Sequence, residues 1–169
     1  MLSQSNACVQ AYYEFDPESD PEEAEVSVEV QTSRLQQDVS EWCTCANCAA
    51  MPSEPENVCC MEIPQVSRRM QELELSVPCM VDHPGLEPVC LNVFSLQNAF
   101  NIYRAEHGRL QMRQIQQRHR YLAYRSFVSW CWGFLGRKIR VVIPACVVLR
   151  IHREFPDPQN NYVGFRQSN

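Results

Sequence analysis

The run WCTCANCAAMPSEPENVCC, residues 42–60, decides how the rest of the chain is read. Cys43, Cys45 and Cys48 form C-x-C-x-x-C, and Cys59 and Cys60 are adjacent. Between them lie Pro52 and Pro55 and few large apolar side chains, so the stretch reads as a loop. A loop of this composition cannot offset its ordering entropy by burial, whereas thiolates two or three residues apart can chelate a tetrahedral metal ion such as zinc. Cys79, Cys90, Cys131 and Cys146 follow singly. The N-terminus has neither a basic nor an apolar region of the kind a signal peptide uses, so an unsecreted, reduced chain is expected. Ten cysteines then point to metal rather than to a disulfide framework.

Outward from that loop, charge divides the chain. Residues 1–33 hold eight acids and no Lys or Arg, residues 34–91 add nine acids and three arginines, and residues 92–169 hold three acids and twelve bases. Residues 1–38 read as an acidic disordered tail and 39–166 as one domain, with 167–169 a short C-terminal tail. Mean hydropathy is −0.34, and the apolar runs 126–136 and 141–149 fall well short of a membrane span.

Inside the domain the periodicity is helical. Pro64 opens a stripe of Val66, Met70, Leu73 and Leu75, which Pro78 ends. His83-Pro84-Gly85 is a turn, and Pro84 or Asn92 starts the next helix. Val93, Leu96, Phe100 and Tyr103 share a face, with Gly108 as the stop. A longer helix spans about 110–135, arginine-rich first and aromatic later, and Gly133 and Gly136 end it. The segment 137–143 is extended or loop. Pro144 starts a last helix that Pro156 and Pro158 end, and Tyr162 and Phe165 anchor the tail. The fold class is therefore mainly α: a small zinc-stapled helical domain with a cysteine-rich loop in front.

Several runs are distinctive together: Arg120-Tyr121-Leu122-Ala123-Tyr124-Arg125 with Trp130 and Gly133, Val142-Ile143-Pro144-Ala145-Cys146, Glu154-Phe155-Pro156, and Tyr162-Val163-Gly164-Phe165. With the cysteine run they resemble the C-terminal cytoplasmic "ballast" domain of the P2X purinoreceptors of subtype seven, over roughly residues 42–166. The resemblance implies a free-standing intracellular module, cytoplasmic or nuclear, without the channel. It implies two structural zinc ions held by Cys45, Cys48, Cys59, Cys60, Cys79 and Cys146, four thiolates terminal and two bridging. Cys43 and His83 are the neighbours able to substitute. Cys8, Cys90 and Cys131 read as ordinary thiols, and His107, His119 and His152 as solvated.

The same resemblance implies a guanine-nucleotide (GTP or GDP) site. Arg120 would face phosphate, Tyr121 and Tyr124 would stand beside the ligand, the backbone of Val141 to Ile143 would meet the base, and Gly164 would admit a close approach. Three positions depart from the family: Tyr121 stands for histidine, Val163 for serine and Asp157 for lysine. A carboxylate in place of a cation beside phosphate reverses an attraction. Otherwise Arg120 is a solvated helix residue and Tyr124 is core.

No phosphate loop, nucleophile elbow or zinc-protease motif is present, so an enzyme is not expected. The expected function is a zinc-binding module acting in guanine-nucleotide sensing or in interaction with an unidentified protein. The alternative is a nucleic-acid-binding zinc protein using the arginine-rich helix 109–125.

Overall fold

The computed structural model describes residues 32–74, 76–136 and 139–165. Five α-helices carry the architecture: α1 (Val39–Trp42), α2 (Pro64–Gln71), α3 (Val93–His107), α4 (Ile115–Trp132) and α5 (Ala145–Glu154). Short 3-10 turns at Glu54–Glu56, Cys60–Glu62 and Met80–Asp82, and a π-turn at Glu87–Leu91, join them. The fold is mainly helical, and no strand occurs among the described residues. The first 31 residues of the expected acidic tail lie outside them.

Helix α4 is the central post and packs against α2, α3, α5 and the π-turn. Leu122, Ala123 and Phe127 form its buried side. It starts at Ile115 rather than near 110, because in Arg109–Gln114 only Leu110 and Met112 are even half-buried. A helix without a face to bury is marginal in water. Gly133, with φ 72°, ends it and donates its N–H to the Ser129 carbonyl. Helix α3 begins where Asn92 caps it: the Asn92 Oδ1 accepts from the N–H groups of Phe94 and Ser95 at 3.0 and 3.2 Å. Gly108, with φ 81°, closes its other end.

Side chains lock the elements to one another. Arg69 on α2 donates to the Trp130 carbonyl on α4 at 2.6 Å and to Glu72 at 2.7 Å. The turn at 83–85 fits only because Gly85 lacks a side chain: a Cβ there would lie 2.7 Å from the Trp130 ring. Asn57, fully buried, folds the 51–57 loop by accepting from Met51 N–H (2.9 Å) and donating to the carbonyls of Met51 and Ser53.

The ordered fold reaches further back than residue 39. Arg34 donates to the Asn57 carbonyl at 2.7 Å and forks onto both Glu62 oxygens, while Asp38 caps α1 in a capping box with Glu41. Residues 39–63 are also more regular than a loop, holding α1 and two 3-10 turns.

Candidate metal centre

The loop leaving α1 reverses at Ala46, whose φ of 63° places it in the left-handed region. That reversal brings the Cys45 and Cys48 sulfurs to 3.7 Å, and Cys43 also lies 3.7 Å from Cys45. Cys59 and Cys60 stand at the start of the 3-10 turn that leads into α2, and Cys79 caps the Met80–Asp82 turn, its sulfur accepting from the Val81 N–H at 3.4 Å. Cys146 sits in the first turn of α5, held there by the Ala145 N–H donating to the Val58 carbonyl at 2.9 Å, one residue before Cys59.

Seven sulfurs converge in two quartets. Cys43, Cys45, Cys48 and Cys59 form one, and Cys45, Cys60, Cys79 and Cys146 the other, with all sulfurs of a quartet within 4.8 Å of one another. Cys45 belongs to both. The nine described cysteines are all free. Burial alone would drive thiols toward the neutral form; here proximity divides them instead. Neighbouring thiols, Cys146 first among them, favour the charged forms of Cys79 and Cys48 and lower both below the usual thiol range. Cys45, desolvated, and Cys146, crowded by Cys48, Cys60 and Cys79, are raised. Such a pack of sulfurs holds several thiolates only when a cation compensates them. An all-sulfur set in fours fits tetrahedral, thiophilic metal ions.

All six cysteines expected as ligands lie in these quartets, and Cys43 joins them as a seventh. The sequence signal for Cys43 is the tight C-x-C spacing, which cannot rank neighbouring thiols. His83 does not join: its Nδ1 accepts from the Gly85 N–H at 2.9 Å and its ring meets Trp130 edge-on. Cys90 and Cys131 lie outside both quartets, and burial pushes each thiol up to about 12.

The residues expected around a nucleotide divide. Arg120 is buried rather than solvated. It donates to the Phe155 carbonyl at 2.7 Å and to Asp157 Oδ2 at 3.1 Å, and lies over the Tyr162 ring. The Tyr124 hydroxyl is 2.6 Å from His152 Nε2, and Tyr162 stacks on the His152 ring at 3.8 Å. His152 is thus packed rather than solvated, and burial, reinforced by Arg120, lowers its pKa to about 4. Gly164 runs against the buried Glu56: a Cβ there would lie 3.0 Å from both carboxylate oxygens, and the Phe165 N–H donates to Glu56 at 2.9 Å. Tyr121 points elsewhere, edge-on to Tyr103 of α3. Val141 and Ile143 lie half-buried in the segment before α5.

The arginines of the 109–125 stretch also split. Arg118 lies 4.4 Å over Phe100 and Arg125 5.0 Å over Tyr103, both braced on α3, while Arg109 and Arg113 precede α4.

The family described as the P2X purinoreceptor 7 intracellular domain matches residues 2–166. The P2X purinoceptor 7 of Rattus norvegicus is 26% identical over 149 residues, which cover 86% of this chain and 23% of the rat protein. That of Mus musculus is 27% identical over 139 residues, covering 76% of this chain and 20% of the mouse protein. The chain therefore spans about a fifth to a quarter of the length of these relatives. Among the described residues no helix is long and apolar enough to cross a membrane. A match over nearly its whole length makes this chain a member of the P2X purinoreceptor 7 intracellular domain family.

Proposed function

We propose that the chain is a module stapled by two structural zinc ions, whose folded surface serves protein interaction. One observation carries the zinc reading: two cysteine quartets share Cys45 alone. Two tetrahedral ions need four ligands each, and six terminal thiolates plus one shared thiolate supply them all. No position is left for a reactive water, so the metal's role is to hold the fold. Zinc is favoured over an iron–sulfur cluster because thiolates alone complete both coordination shells.

Protein interaction is favoured over nucleotide sensing by the company Arg120 keeps. Its guanidinium is paired with Asp157, and the neighbouring Gly164 segment lies on the Glu56 carboxylate. A phosphate placed there meets two carboxylates before it meets a free cation. The purinoceptor relatives contain much more chain than this one, and no channel activity is proposed for it.

Metal analysis of the purified chain tests the first part: two zinc ions per chain and no visible iron–sulfur absorption are expected. A chain without bound metal that keeps its full helical signal overturns it. Calorimetric titration of GDP into the metal-loaded chain tests the second, with no saturable heat expected. Saturable heat that Arg120→Ala abolishes would restore nucleotide sensing.

A further inference from the structure

We propose that the two quartets form a two-tier centre: the inner one is the permanent staple, and the outer one is an exchangeable, peroxide-responsive site. The proposal rests on the reading of the cluster as a holder of two zinc ions.

The tiers differ first in what they join. The outer quartet draws Cys43, Cys45, Cys48 and Cys59 from one short stretch of chain. The inner quartet ties Cys45 to Cys60, Cys79 and Cys146, and so fastens the front loop to the turn before α3 and to α5. Opening the outer site frees only a local loop, whose closure entropy is small. Opening the inner site releases three distant segments at once.

Exposure singles out two sulfurs of the outer quartet, while its other two, Cys45 and Cys59, are as buried as the inner set. Cys45, Cys60, Cys79 and Cys146 are at most 4% exposed, and Cys60 and Cys79 not at all. Cys43 and Cys48 are the two of the seven that stay half-exposed, set among exposed Thr44, Ala46, Asn47 and Ala49. Met80, next to Cys79, and Ala145 and Val147, on either side of Cys146, are all fully buried. Solvent oxidants therefore meet Cys43 and Cys48 first.

Those two sulfurs lie within 4.8 Å of each other, a separation that side-chain rotation closes to a disulfide. With hydrogen peroxide as oxidant, one thiolate attacks a peroxide oxygen, the O–O bond breaks, and the sulfur becomes a sulfenic acid as hydroxide leaves and takes up a proton. The second thiolate attacks that sulfur, the S–O bond breaks, and a second hydroxide leaves as water. Two electrons pass from the sulfur pair to peroxide, giving one disulfide and two waters. Cys45 and Cys59 alone cannot keep the outer ion, which passes to solvent. A dithiol reductant returns the electrons and restores the site.

The test uses the metal-loaded full chain, with native mass spectrometry as the readout. The starting protein should carry two ions; fewer overturns the reading beneath the proposal, and the proposal with it. Hydrogen peroxide below one equivalent, with a zinc chelator present, should yield a species with one ion and a polypeptide lighter by two hydrogens. Peptide mapping should place the disulfide at Cys43–Cys48, with the helical circular dichroism retained and the second ion recovered after dithiothreitol and zinc. The double variant Cys43→Ser, Cys48→Ser should hold one ion, fold, and keep that ion under the same peroxide. Both ions leaving together, oxidation mapping to Cys60, Cys79 or Cys146, or a double variant that holds two ions or none would each overturn the two-tier assignment.

Discussion

His152 is the residue whose chemistry the fold changes most outside the cysteine cluster. Its ring is packed between the Tyr124 hydroxyl and the Tyr162 face, with Arg120 and Glu56 as the charged groups that act on it. The folded state keeps its pKa near 4, against about 6.5 when unfolded. Between those values the unfolded chain binds more protons than the folded one, so stability rises with pH through that window and falls on acidification. Lowering pH from 7 to 4.5 should cost the wild type about 1–2 kcal/mol more than His152→Gln, allowing for screening at a partly exposed ring. Urea denaturation of both proteins across that range checks it, and the difference between them cancels the acid sensitivity of the thiolates. Arg120 is the neighbouring case. Arg120→Ala leaves the Phe155 carbonyl without its 2.7 Å donor, a loss of about 1–3 kcal/mol that should appear as a lower urea midpoint with an unchanged slope.

At the scale of elements, the two long helices show opposite ways of being started. Helix α3 has a dedicated cap, the Asn92 carboxamide oxygen accepting two backbone N–H groups, whereas α4 begins at Gln114 with no side-chain cap. Asn92→Ala should therefore destabilise the protein by about 1 kcal/mol, read as a drop in the thermal midpoint of a few degrees. Gln114→Ala should leave the midpoint unchanged within error, because its side chain caps nothing. Both helices stop at a glycine with positive φ, the residue type that adopts this conformation most readily, so Gly108 and Gly133 read as helix ends from sequence alone. Propensity places the start of α4 too early: a polar, arginine-rich run favours helix locally, and only the absence of anything to bury stops it.

For the whole molecule, the clustered cysteine with the longest reach along the chain is Cys146. It sits in the first turn of α5, and its partners Cys45, Cys60 and Cys79 come from the front half of the chain. On the proposed two-ion reading, Cys146→Ser takes one sulfur from the inner quartet and should lower metal content below two ions and loosen α5. Hydrogen exchange should show protection of Val147–Ile151 falling toward that of the 109–114 linker. Cys131→Ser lies outside both quartets and should leave metal content unchanged.

Cys79 and Cys146 enter the expected ligand set only through the family resemblance, whereas helical class, the stops at Gly108 and Gly133, the start at Pro144 and the C-x-C-x-x-C and Cys-Cys spacings follow from the sequence by itself. Those features are local: a period, a turn residue or a spacing announces itself within a few positions. Three things are decided only by the tertiary structure, and each depends on residues far apart in the chain. Cys43 joins the cluster because Ala46 adopts a left-handed turn and Cys59 comes to meet it, whereas His83, as good a ligand by type, is turned toward Trp130 and Gly85. Arg120 is a buried partner of Asp157, 37 residues away, rather than a free cation. The segment from Arg34 to Asp38, grouped with the tail in the sequence reading, is bound to the fold through Arg34 on Asn57 and Glu62. Composition counts charges. Whether a charge meets solvent, a carboxylate or a cluster of thiols is decided only when the chain closes on itself.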